Sequence, residues 1–238
     1  MKRWLLLGAL IGFSSAEAMA APLCLSGSYQ SYMNLNASGG CQFGNAIFSN
    51  FSFAYQSNDG TTSASPNKGA ASVTVTPENQ PVADDNHPGL AFGTANLTPA
   101  IGSFEDYTFT FTVSALTGFF LDDAFLKMTG AFLVGDGVAT TIETLTPFNN
   151  PQTNLNGFFT FAITNQKTSS VVFNNSSSLT VTKDVKLSNS SALVFDLSSV
   201  SNDFSLVSDP VPEPVTSVMI GLGLCGLGFS IRKRLKKS

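Results

Sequence analysis

The chain contains one histidine, His87, and it precedes Pro88 in a polar stretch. Any Ser-His-Asp or Cys-His arrangement would therefore depend on that residue alone. Asp84, Asp85 and Asn86, with Asp122 and Asp123, are the oxygen donors whose clustering could serve calcium, but they lack the ligand-x-ligand spacing and terminal glutamate of a calcium loop. Turn and edge-strand roles are the expectation for them, with Asp122 and Asp123 as inward or edge charges against strand-to-strand aggregation. Glu105, Asp106 and Glu143 are the carboxylates that could act as acid and base across a glycosidic bond. Residues 21 to 210 hold neither Trp nor Arg to organise a sugar cleft, so a hydrolase is disfavoured. With no phosphate loop, redox CxxC or dinucleotide fingerprint, the reading is of a non-enzyme with no catalytic residues, no metal site and no cofactor.

The remaining chemistry lies in the cysteines. Cys24 and Cys41 fall in the body of the chain and Cys225 in an apolar run near its end. In an oxidising compartment a Cys24 to Cys41 disulfide is the natural inference. Two free thiols or a metal pair are the alternative, though no nearby His or third Cys completes a metal site.

The elements that must position these residues read as strands. Period-two alternation between turn signals recurs along the chain. Ala46 to Gln56 places Phe51, Phe53 and Tyr55 on one face, and Ser103 to Ala115 alternates Tyr107, Phe109, Phe111 and Val113 with hydroxyl residues. Further strands are expected at Ala71 to Thr76, Leu90 to Gly93, Gly118 to Leu126, Val138 to Leu145, Gly157 to Thr164, Ser170 to Phe173, Ser178 to Leu187, Ala192 to Leu197 and Asp203 to Val207. About eleven short strands, without sustained helical periodicity between the termini, predict one all-β domain over residues 21–210, an antiparallel β-sandwich or jelly roll. The chain has 21 Phe and one Trp, Trp4. Phe at alternating positions suits a half-buried pleated surface, so core packing is favoured over a sugar-stacking platform. Ser57 to Gly69 and Thr76 to Gly89 read as long exposed loops.

Both ends carry addresses. Lys2 and Arg3, the apolar stretch Trp4 to Phe13, and Ala18-Met19-Ala20 form a signal peptide over residues 1–20, with cleavage before Ala21. At the other end Val211-Pro212-Glu213-Pro214 precedes an uncharged run, residues 215–231, and then the basic residues Arg232, Lys233, Arg234, Lys236 and Lys237. As a helix the run is about 25 Å long, at the short end of a transmembrane span. The cationic flank holds residues 232–238 in the cytoplasm, and the two prolines keep the junction extended. An ordinary C-terminal anchor after a Pro-containing linker would have the same physical features.

In their order these three parts, residues 211–238, resemble the C-terminal sorting signal of PEP-CTERM proteins. The resemblance implies an exosortase acting near the Pro-Glu-Pro motif of an inner-membrane-anchored precursor, after the Sec translocon and signal peptidase have acted. The membrane contact through the helix is then transient, and the product passes to the cell surface or extracellular matrix. Cys24, Gly40-Cys41 and Ile47 to Phe53 similarly resemble the start of PEP-CTERM ectodomains, and Val200 to Leu206 their last strand. The family implies no activity for the ectodomain. An exported structural or interaction protein is the leading expectation, and a glycan-binding β-sandwich, with or without calcium, the alternative; extracellular polysaccharide is the candidate partner in both. Without its two ends the chain has five lysines against fourteen acids, a net charge of −9, which excludes nucleic acid held by its phosphates.

Overall fold

The computed structural model describes residues 20–209 except 66, 80–85, 94–98, 131–136, 147–152, 161–167 and 191–196. The signal-peptide positions up to residue 19, the Val211 to Pro214 motif, the 215–231 span and the basic tail lie outside the described residues. Among the described residues, no helix is long and apolar enough to cross a membrane.

The body is all-β, in two six-stranded antiparallel sheets. The strands are β1 (Gly27–Ser28), β2 (Cys41–Phe43), β3 (Ala46–Ser57), β4 (Thr74–Asn79), β5 (Pro88–Gly93) and β6 (Ser103–Ala115), then β7 (Phe119–Gly130), β8 (Gly137–Thr146), β9 (Thr153–Thr160), β10 (Thr168–Ser176), β11 (Ser178–Asn189) and β12 (Leu197–Ser208). One sheet runs β2-β3-β6-β11-β8-β9 and the other β1-β4-β5-β12-β7-β10. From β5 to β12 the chain winds between the sheets in the order of a jelly roll, and the four earlier strands widen both sheets at one side.

Alternation drives this packing. Along β6 every odd residue from Ser103 to Val113 is buried while the threonines between them are half-buried on the outer face. The two sheets meet through rings. Phe204 of β12 lies 6.4 Å from Phe48 and 6.5 Å from Phe111, and Phe92 of β5 lies 5.3 Å from Phe109. These are edge or tilted pairs, each adding about 0.5–1.5 kcal/mol beyond area burial. Phe48, Phe51, Phe92, Phe109, Phe111 and Phe204 therefore fill the core, as their spacing predicts, while Phe104, Phe120 and Phe125 stay half-buried.

The bulge in β3 explains how Phe48 and Phe51, three apart, both face inward. The ladder with β6 shifts register between Ser49 and Ser52, and Asn50 adopts a positive φ of 55°. An extra residue reverses the strand's phase. The backbone freed at Phe51 is satisfied by the Asn36 side chain, which donates to the Phe51 carbonyl and accepts from its N–H, both at 2.8 Å.

The first described residues cross from one sheet to the other. Cys24 is joined to Cys41, and the Leu23 segment pairs with Gln42 beside β2. A short helix, α1 (Tyr29–Asn34), follows, capped by the Ser28 hydroxyl accepting from Ser31 N–H. The alternation of the sequence does not anticipate it. At six residues it is too short to be stable alone, and it is held by Tyr29 and Tyr32, whose rings are buried in the core. Tyr29 Oη donates to the carbonyls of Ser52 at 3.1 Å and Thr110 at 2.8 Å. Gly40 is required beside the disulfide: its φ is 97°, and a Cβ there would lie 2.1 Å from the Phe48 carbonyl oxygen.

Three expectations are corrected. The predicted Ala71 to Thr76 strand is a 3-10 turn, Ala70–Ser72, followed by β4. The loop expected from Thr76 to Gly89 begins and ends inside β4 and β5. Asp122 and Asp123 do not guard an edge, because β7 lies between β12 and β10. Asp123 Oδ1 instead accepts from Ser205 N–H at 3.2 Å, beside the register shift between Ser205 and Leu206.

Candidate functional site

The densest polar chemistry sits inside the sandwich. Three strands meet through a polar residue on their inward phase: Glu143 on β8 between Thr141 and Leu145, Lys183 on β11 between Val181 and Val185, and Asn202 on β12 between Val200 and Phe204. All three are fully buried. β8 and β11 are neighbours in one sheet and β12 belongs to the other, so the cluster spans the gap between the sheets. Lys183 Nζ donates to Glu143 Oε2 at 2.7 Å, and Asn202 Nδ2 donates to Glu143 Oε1 at 2.5 Å. A single carboxylate thus holds an amine on one oxygen and a carboxamide on the other.

The surroundings are apolar. Lys183 Nζ lies 5.6 Å from the Phe92 ring centre, and Phe109 is its cross-strand neighbour. Burial lowers the Lys183 pKa from the ordinary lysine value, while the charges of Glu143 and Asp203 act in the opposite direction. Asp203 is itself buried and packed close to β5, where a Cβ on Gly89 would lie 2.1 Å from its Oδ1. Asn202 Oδ1 and the buried Thr141 hydroxyl have no hydrogen-bond partner among the described residues.

A second polar centre lies at the start of β6. Glu105 is buried; its Oε2 accepts from Tyr107 Oη at 2.5 Å, and its Oε1 pairs with Lys68 Nζ at 2.5 Å. Lys68 belongs to the stretch expected as an exposed loop, yet its side chain is only 12% exposed. Burial, then the Glu105 carboxylate, pushes the Tyr107 pKa far above the usual phenol range. In the same loop, Asp59 accepts from Thr61 and Ser57; these bonds lower its pKa to about 2.

Asp106 faces the other way from Glu105, onto the outer surface of the sheet. Burial and a hydrogen bond with Asp184 raise its pKa to about 7, opposed by Lys186. The rest of that surface is hydroxyl-rich. The registers align Ser52, Thr110, Thr182 and Thr144 in one row across β3, β6, β11 and β8, and Ser49, Thr112, Thr180 and Thr146 in the next.

The structure joins Cys24 and Cys41 as the cysteine usage predicts. The carboxylates Glu105 and Glu143 are not brought to a cleft; each is buried against a lysine. His87 is half-buried in the bend before β5 rather than an exposed loop residue. Among the described residues no three His, Cys, Asp or Glu side chains gather as a metal site. Ala20 is exposed and Ala21 half-buried ahead of the disulfide; Ala18 is outside the described residues. Lys183 and Asn202 are not singled out by motif reasoning. Their signal is positional, a polar side chain on the inward beat of an alternating strand.

No family model matches the chain, and no curated protein does. Among solved structures, it is similar to TmCBM61 in complex with beta-1,4-galactotriose, at 9% identity and TM-score 0.33 over 66% of this chain and 88% of that one. The enzymatically active domain of bacteriophage CBA120 tailspike protein 4 gives 10% identity and TM-score 0.27, covering 68% of this chain and 20% of the tailspike chain. A family 11 carbohydrate-binding module from Clostridium thermocellum, in complex with beta-1,3-1,4-mixed-linked tetrasaccharide, gives 9% and 0.21 over 65% of this chain and 86% of that one. At scores this low the site rests on its own residues.

Proposed function

We propose that this chain is an exported structural or interaction protein of the cell surface or extracellular matrix, sorted by an exosortase through its Val211 to Pro214 motif. One observation carries the structural part of this reading: the reactive side chains are turned inward and spent on ties. Cys24 with Cys41, Lys183 with Glu143 and Asn202, and Lys68 with Glu105 all hold strands or loops together. In this reading the Sec translocon and signal peptidase act first, the 215–231 span holds the precursor in the inner membrane, and exosortase then releases the domain. No catalysis on an outside substrate is assigned. The test is fractionation of cells expressing the Glu213→Ala variant. Full-length precursor accumulating in the inner membrane is expected, and release equal to the parent would refute the sorting role.

The outer hydroxyl rows favour a second reading, a glycan-binding face. Neighbouring strands lie about 4.8 Å apart, so the Ser and Thr rows present donors and acceptors at regular spacing to a chain of sugar hydroxyls. Glycan-array binding with and without a calcium chelator separates the two readings. Saturable binding lost in the Thr110→Val/Thr182→Val variant would establish the glycan face, and binding lost with chelator would add calcium to it.

A further inference from the structure

The buried trio on β8, β11 and β12 is arranged for a covalent reaction within the chain. An amine and a carboxamide rest on the two oxygens of one carboxylate, out of water and beside an aromatic ring. We propose that Lys183 and Asn202 become joined by an isopeptide bond across the two sheets, formed by attack of Lys183 Nζ on the Asn202 side-chain carbonyl carbon while Glu143 moves the protons.

The steps balance without any outside reactant. Glu143 Oε2 takes a proton from the Lys183 ammonium, leaving a neutral amine whose lone pair is free. Burial favours that transfer, because a charged amine is penalised in an apolar site while a neutral pair is not. The amine nitrogen adds to Asn202 Cγ, and the carbonyl electrons move onto Oδ1. Glu143, still in contact with both groups, carries a proton from the attacking nitrogen to Nδ2. The Cγ–Nδ2 bond then breaks, the carbonyl re-forms, and ammonia departs with the remaining proton as ammonium. Glu143 ends as the carboxylate it began as. One C–N bond has formed, one has broken, and nothing has been oxidised or reduced.

Position supplies the rate. An uncatalysed amine does not displace ammonia from an amide at useful speed, but fixing both partners on one carboxylate gives effective molarities up to about 10⁵–10⁸ M. Among the described residues, Asn202 Oδ1, where charge develops, and the Thr141 hydroxyl, on the same face of β8 as Glu143, have no hydrogen-bond partner. The product would link a central strand of one sheet, β11, to a central strand of the other, β12, a tie that does not depend on redox conditions. It deepens the structural role proposed above but does not require sorting, and its test is independent of where the chain ends.

The test is mass spectrometry of the purified full chain, denatured, reduced and digested with trypsin. The expected result is no cleavage after Lys183, with the segment carrying it joined to the segment carrying Asn202 and the pair lighter than its sum by one ammonia. Separate peptides with normal cleavage after Lys183 would overturn the proposal and leave the trio a salt bridge. Glu143→Gln, which keeps the size of the side chain but cannot carry the proton, is expected to leave the segments unlinked; linkage equal to the parent would refute the role of Glu143. Asn202→Asp should link with loss of water in place of ammonia. Should either variant fail to fold, the parent chain alone decides whether the bond exists.

Discussion

Two buried ion pairs among the described residues solve one problem differently. Lys183 and Glu143 both come from strands and are wholly buried, and Asn202 reaches them from the facing sheet. Glu105 is equally buried, but its cation, Lys68, arrives from a loop and stays 12% exposed. A strand-built pair is placed by ladders on either side and cannot retreat to water. A loop-built pair can open by moving one segment. The first is thus suited to a permanent tie and the second to closing an end of the sandwich, and variants at each should behave accordingly.

The largest effect is expected for Glu143→Ala. It strands a buried amine and a buried carboxamide, and removing one partner of such a pair costs about 3–5 kcal/mol. Denaturant unfolding should register that loss, whereas a change below about 1 kcal/mol would put the strand-built pair on the same footing as a surface bridge. Reduction of Cys24–Cys41 comes next, at about 3 kcal/mol for a loop of this size, measured by unfolding with and without reductant. Lys68→Ala should cost less, about 1–3 kcal/mol for an unsatisfied buried acceptor.

Smallest is Asp106→Asn, which acts in the opposite direction. The folded pKa of Asp106 is raised from 3.8 to about 7, so between those values the folded chain holds more protons than the unfolded. Stability therefore falls as pH rises through that window and is level above it. The asparagine variant should be the more stable at pH 8 and should flatten that slope in thermal melts across the window.

The strand pattern was legible because alternation is local. β6 runs Ser103–Ala115 as its alternating Tyr, Phe and Val predict, and β3 exceeds expectation by one residue. The disulfide was legible from compartment and count. What stayed hidden depends on partners far along the chain. The helix α1 is held by the burial of Tyr29 and Tyr32, the bulge at Asn50 is satisfied by Asn36, and the internal position of β7 follows from sheet order. The polar trio was concealed for another reason. By charge Lys183 is one of five lysines in an acidic domain; its place between Val181 and Val185 marks it as interior. Glu143 and Asn202 sit on the same inward beat of their strands, and only the meeting of the two sheets shows that the three belong together.

The proposed function requires export of a tied β-domain whose C-terminal address is removed. The most direct measurement is C-terminal peptide mass spectrometry of native protein recovered from outside the cell. A C-terminus at or before Pro214, with the 215–231 span absent, is the predicted result. Native extracellular protein still ending at Ser238 would contradict it.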